Sequence, residues 1–102
     1  MKQLAVVYLR RAQNDLVDIF RYIERDSPAQ AKTWIDKIDR VLGRLASFPK
    51  SGVLPRDKRL ARLGYRIVIV GEYLAFYVVR RRRVEIRRVL QGRRRYSFLL
   101  PP

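Results

Sequence analysis

The 102-residue chain contains no histidine and no cysteine, a single methionine, a single tryptophan and only nine acidic residues. Absence of cysteine excludes a disulfide scaffold, a thiol nucleophile and thiolate zinc sites. Absence of histidine removes the side chain that titrates nearest neutral pH, and with it most of the acid–base chemistry open to a small enzyme. No metal or cofactor site is expected from what remains. No apolar run approaches the roughly 20 residues needed to cross a bilayer. The opening apolar run at residues 4–9 is short, and no small-residue cleavage site follows it, so it reads as a strand and not as a signal peptide. The expectation is a soluble cytoplasmic protein with no membrane partner.

What is present in quantity is positive charge. Twenty-four Lys and Arg give a formal net charge of +15. The charge is uneven: residues 1–52 carry ten basic against six acidic side chains, a net +4, whereas residues 53–102 carry fourteen against three, a net +11. Such a surface attracts nucleic acid, an acidic leaflet or an acidic protein, and charge alone does not choose among them. The hydrophobic fraction of 48% suits a packed globule, and a chain of this length buries roughly two-thirds of its unfolded surface as one domain. We therefore expect a single domain over residues 1–102.

Periodicity predicts the elements. After the opening strand, Leu16, Ile19, Phe20 and Ile23 recur at three- and four-residue spacing and predict a helix over residues 11–26, with Asp15, Asp18, Arg21 and Arg25 toward water. Ser27-Pro28-Ala29-Gln30 then reads as an N-cap, a first-turn proline and a capping box. A second helix, carried by Ala31, Ile35, Ile38, Leu42 and Leu45, runs to about Phe48 before Pro49, and the short connection makes the pair a helical hairpin. Residues 53–63 form an irregular basic linker with room for one helical turn. Three strands follow at residues 65–70, 73–79 and 84–90, joined by Gly71-Glu72 and by the four-arginine turn Arg80 to Arg83, so consecutive strands are expected to be antiparallel hairpins. The fold class expected is α+β, a small antiparallel sheet against an N-terminal helical hairpin in the order β-α-α-β-β-β.

Alternation places Arg66 opposite Tyr65, Ile67 and Ile69, and Glu85 and Arg87 opposite Val84, Ile86 and Leu90, with one face under the helices. Arg88 shares the apolar phase. It sits either at a bulge or against a buried carboxylate, since an unpaired buried guanidinium is prohibitively costly, and the ion pair is the favoured reading. Tyr22, Trp34, Tyr73 and Tyr77 read as packing aromatics with polar tips at the surface.

The chain as a whole resembles the RelE/ParE superfamily of bacterial type II toxins. The resemblance rests on Ala12-x-x-Asp15-Leu16-x-Asp18-Ile19-x-x-Tyr22-Ile23, Ser27-Pro28-x-x-Ala31, Leu45-x-x-Phe48-Pro49-x-x-Gly52, Gly64-Tyr65-Arg66, Tyr73-Leu74-x-Phe76-Tyr77 and Val84-x-Ile86-x-Arg88-Val89-Leu90-x-Gly92-x-Arg94 in that order. It implies a cognate antitoxin, acidic or amphipathic in the segment that wraps the basic body, and hence a toxin–antitoxin hetero-oligomer.

Two branches of that superfamily differ in chemistry. RelE-like members resemble ribosome-dependent mRNA endonucleases, and the resemblance carries over to Arg66, Arg94 and Tyr96 as the catalytic candidates. Val68 and Leu74 stand where that branch has cations, and Gln91 stands where many relatives have histidine. The ParE-like branch resembles binding poisons of DNA gyrase, and the long helical hairpin over residues 12–49 is more typical of it. The favoured reading is therefore a ParE-like toxin, with Arg66, Arg87, Arg93, Arg94 and Arg95 as a surface for target or antitoxin. A third reading, a basic nucleic-acid-binding module without toxin activity, rests on Arg80 to Arg83 and Arg93 to Arg95, which would make binding steeply salt-dependent.

Overall fold

The computed structural model describes residues 3–92. In chain order it contains β1 (Ala5–Tyr8), α1 (Arg10–Asp26), α2 (Pro28–Gly43), a 3-10 turn (Arg44–Ala46), α3 (Lys58–Arg62), β2 (Arg66–Val70), β3 (Tyr73–Arg80) and β4 (Arg83–Gln91). The class is α+β, as expected. Arg93, Arg94, Arg95 and Tyr96 lie outside the described residues.

Local chemistry accounts for the boundaries. The Ser27 hydroxyl accepts from the Gln30 N–H at 3.1 Å, and Pro28 occupies the first turn of α2. The reciprocal half of the capping box is not made, because the Ser27 N–H instead donates to the Ile23 carbonyl and closes α1. The second helix ends earlier than its apolar spacing suggests, at Gly43, and tightens into the 3-10 turn. The single turn anticipated in the basic linker is α3, capped by the Asp57 carboxylate, which accepts from the Arg59 and Leu60 N–H groups at 2.8 and 3.3 Å.

The sheet order is β1-β4-β3-β2. The last three strands form the expected antiparallel meander, but β1 lies parallel to β4, with Tyr8 opposite Ile86, so the sheet is mixed and not wholly antiparallel. No hairpin turn fixes the direction of β1, since two helices intervene before the sheet resumes, and alternation within a strand carries no information about direction. The turn at Gly71-Glu72 has its positive φ at Gly71, +59°, the type II′ pattern. The other turn leaves only Arg81 and Arg82 between the paired Arg80 and Arg83, and both hold positive φ, 52° and 63°. That is the type I′ pattern filled by two side chains that disfavour it.

The two faces of the sheet carry separate cores. On the helix side Ala12, Ile38, Leu42 and Leu45 pack against Val70, Ala75, Tyr77, Val84, Ile86 and Val89. On the outer side Leu60 of α3 closes over Tyr65, Ile67, Phe76, Val78 and Leu90. The outer face is thus a second core and not the solvated surface that a single helix-covered face implies. The register explains Leu90: Phe76 pairs with Arg88 while Tyr77 pairs with Ile86, so Arg87 is an extra residue in β4. This bulge moves the helix-facing phase from Ile86 to Val89 and sends Leu90 to the opposite core.

Candidate functional site: an arginine-lined face beside the bulge

Arg88 satisfies both halves of its sequence reading, since it adjoins the bulge and pairs with a carboxylate. Its Nε and Nη2 donate to the two oxygens of Asp15 at 2.8 and 3.0 Å, and Asp15 also accepts from the Val89 N–H at 2.9 Å. Asp15 therefore does not face water as the helical wheel placed it. Its carboxylate turns to the bulged strand and joins α1 to β4. Both side chains are largely buried, at 12% and 13% exposure. The Asp15 hydrogen bond holds the Arg88 pKa above its ordinary value, against the opposing effect of burial.

Glu85 is the buried charge of the outer side. Arg83 donates to it through Nε and Nη2 at 2.9 and 2.6 Å, and Arg87 through Nη2 at 3.1 Å. Burial pushes the Glu85 carboxyl up, but the hydrogen bonds and charges of Arg83 and Arg87 outweigh it, and the net shift is downward. The guanidinium of Arg87 also lies 5.6 Å from the centroid of the Tyr65 ring, within cation–π range. Its Nε is buried and has no hydrogen-bond partner. Beside it, Leu9, Arg10, Arg11, Tyr65, Arg87 and Arg88 line a cavity of about 290 Å³.

Arg66 has a different occupation. Its Nη1 donates to the carbonyls of Lys50 and Gly52 at 3.2 and 2.9 Å, tying the segment before α3 to β2. The same segment is clamped by buried Tyr77, whose hydroxyl donates to the Pro49 carbonyl at 2.8 Å and accepts from the Gly52 N–H at 2.9 Å. A glycine is required at 52 because a Cβ there would lie 2.5 Å from that hydroxyl. Tyr77 is thus buried to its polar tip, whereas Tyr22 is exposed, and Trp34 and Tyr73 meet edge-on with ring centroids 5.4 Å apart.

The tyrosines with shifted pKa values all move away from neutrality. Burial, then Asp39, raises Tyr8; burial, then Glu72 and Tyr22, raises Tyr73. Burial raises Tyr77, with the Gly52 hydrogen bond and Arg66 pulling the other way. Among the described residues no group of three or more His, Cys, Asp or Glu is placed to hold a metal ion.

Of the sequence-nominated residues, Arg66 and Arg87 are therefore partly committed to the protein's own carbonyls and carboxylate, and they do not converge on a shared point. Sequence reasoning missed Arg10 and Arg11, which the start of α1 brings beside Arg87 and Arg88. It also missed the exposure of Phe48, Val53, Leu54 and Ile69, each more than half exposed. Val53 pairs with Ile67 of β2, the edge strand that also holds Ile69. Both were hidden because they depend on how distant parts of the chain come together.

A four-stranded mixed sheet with a long helical hairpin on one face and a second apolar core closed by α3 on the other defines a small α+β protein. The chain belongs to the family of ParE toxins of the type II toxin–antitoxin system parDE, whose model matches residues 6–96. A search among curated proteins gave no match. Among solved structures the fold is similar to a chain from the chromosomal ParDE toxin–antitoxin system of P. aeruginosa, with a TM-score of 0.71 and 18% identity over 87% of this chain and 96% of that one. No described helix is long and apolar enough to cross a membrane.

Proposed function

We propose that this protein is a toxin that inhibits DNA gyrase by binding and is neutralised by an acidic cognate antitoxin. The observation that carries the reading is the ParE family match, which runs from β1 to beyond the end of β4. The chemistry of the site agrees with binding. Arg66 and Arg87 are engaged in structural contacts, and a guanidinium keeps its proton at any physiological pH. The buried Tyr77 hydroxyl is engaged at Gly52 and Pro49, and its pKa is raised. Recognition of target or antitoxin is assigned to Arg93, Arg94 and Arg95, with Arg66 and Arg87 supplying fixed positive charge.

For the antitoxin, the exposed apolar side chains of Phe48, Val53, Leu54 and Ile69 offer a seat, with the exposed cations Lys50 and Arg56 nearby in the chain. An amphipathic acidic segment matches both parts: its apolar side chains supply affinity, and its charge sets the association rate. The complex is a hetero-oligomer that acts in the cytoplasm, with no metal or cofactor. The test is supercoiling by purified gyrase with the toxin added alone and with its antitoxin. Loss of supercoiling that the antitoxin restores supports the reading. Undiminished supercoiling at a large molar excess of active toxin overturns it.

A further inference from the structure

We propose that the groove between the tip of the helical hairpin and the end of the sheet is the seat of the chain's own basic and apolar segment, residues 93–102. The inference concerns how this chain folds on itself and does not depend on gyrase as the target.

The groove follows from the register of α1 on β4. The Leu9 N–H donates to the Ile86 carbonyl and Asp15 accepts from the Val89 N–H, so helix and strand run the same way. From Asp15 the helix continues about 16 Å to Asp26, whereas from Val89 the strand continues only about 7 Å to Gln91. The last turns of α1 therefore project past the sheet. Beside them lie two adjoining cavities of about 370 and 450 Å³, which share Tyr22, Glu72 and Tyr73.

Charge selects the occupant. In a chain of net charge +15, the lining carries Asp18, Asp26 and Glu72, all exposed and without an ion pair among the described residues. Asp15 is already taken by Arg88, and the one cation of the lining is Lys37. Such a groove disfavours the acidic segment expected of an antitoxin and attracts a basic one. Residues 93–102 open with Arg93, Arg94 and Arg95 and continue with Tyr96, Phe98, Leu99 and Leu100. Their cations match Asp18 and Glu72 at the mouth, and their apolar side chains match the wall of Tyr22, Ile23 and Trp34 beyond it.

Position agrees with charge. The Gly92 N–H donates to the Glu72 carbonyl at 2.8 Å, so the chain passes into residue 93 at the rim of the groove. Ten extended residues span roughly 33 Å, more than the overhang of α1 requires. The Trp34 Nε1–H is buried without an acceptor, and a segment laid along the groove brings a main-chain carbonyl at every residue to supply one. Held there, Arg93, Arg94 and Arg95 are neutralised by the protein's own carboxylates, and an acidic partner that takes them must displace the segment.

The test uses the full-length protein. Because the chain has no cysteine, Ser97→Cys carries a single nitroxide label, and because Trp34 is the only tryptophan, its indole N–H is one assignable NMR signal. We expect the label to broaden the Trp34 indole and the Tyr22 and Tyr73 amides at every protein concentration, and to spare the amides of Arg10 and Arg11 at the other end of α1. Asp18→Asn with Asp26→Asn and Glu72→Gln should move the docked-to-free ratio about fivefold toward the free form, seen as weaker broadening at Trp34. Glu24→Gln with Asp36→Asn, which alters exposed carboxylates outside the groove, should leave it unchanged. Broadening spread evenly over the surface, or unmoved by the triple variant, overturns the proposal. Broadening of unlabelled chains mixed with labelled ones, lost on dilution, overturns it as well and assigns the groove to a second copy of the protein.

Discussion

The two faces of the sheet each bury one carboxylate against arginine, and they do so over very different spans. Asp15 comes from the helix side and pairs with Arg88, whose partner across the sheet is Phe76, and with the Val89 N–H, 73 and 74 positions away, and thereby ties α1 to β4. On the outer side Glu85 is held by Arg83 and Arg87, each two residues away on the same strand. The first pair is tertiary structure, and its loss separates two elements. The second organises one strand, and its loss leaves neighbouring elements in place. Equal burial of charge thus carries unequal weight, because stability depends on what the contact holds together.

The sharpest way to break this comparison is to remove each carboxylate. Asp15→Ala strands a largely buried guanidinium and frees a backbone N–H, so we expect a loss of about 3 kcal/mol by chemical denaturation. Glu85→Ala should cost less, since Arg83 is partly exposed and rehydrates and the buried Arg87 keeps the Tyr65 hydroxyl as an acceptor at 3.4 Å. Equal losses would show that both faces depend on their ion pairs alike.

The next effect concerns the clamp that ties the segment before α3 to the sheet. Tyr77→Phe removes the acceptor of the Gly52 N–H and the donor to Pro49, and should cost about 1–2 kcal/mol. Hydrogen exchange at the Gly52 amide should quicken while the amides of α2 stay protected. Unchanged exchange at Gly52 would mean that Arg66 and the Val53–Ile67 pairing hold the segment without the tyrosine.

The helix side was largely legible in the sequence and the outer side was not, for physical reasons. Leu16, Ile19, Ile23, Ile38 and Leu42 repeat at helical spacing, and Ser27-Pro28 marks the break, so each signal lies within one element. The bulge at Arg87 depends on β3–β4 pairing. It inverts the phase after Ile86, which is why Leu90 reads as a helix-side residue and lies on the other side. The second core needs Leu60 of α3 to close over Tyr65 and Ile67, a contact that no periodicity records. The carbonyl contacts of Arg66 and the gathering of Arg10 and Arg11 beside Arg87 likewise arise from chain folding. The Arg88 conflict was visible beforehand, because a charge on an apolar phase demands either a bulge or a partner, and the structure provides both.

A smaller effect is expected at the hairpin tip. Arg81 and Arg82 hold positive φ that side-chain-bearing residues disfavour, so Arg81→Asn with Arg82→Gly should stabilise the protein by about 1 kcal/mol. A lowered melting temperature would mean that those guanidiniums make stabilising contacts that outweigh the strain.

The smallest expected effect is electrostatic. Because the folded-state pKa of Glu85 is depressed, its contribution to stability is fully present above the ordinary value of 4.5 and is lost as pH falls through the lower folded value. Glu85→Gln should flatten the stability profile below pH 4.5 relative to the unaltered protein and leave its slope near neutrality unchanged. Parallel profiles below that pH would indicate that Arg83 and Arg87 do not favour the ionised carboxylate.

The most direct test of the account as a whole sets one toxin preparation against two targets, purified gyrase with relaxed plasmid and ribosomes programmed with mRNA. We expect supercoiling to stop at toxin concentrations that leave the mRNA intact. Codon-specific mRNA breaks with undiminished supercoiling, abolished by Tyr96→Phe or Arg94→Ala, would contradict the assignment and make the protein an endoribonuclease.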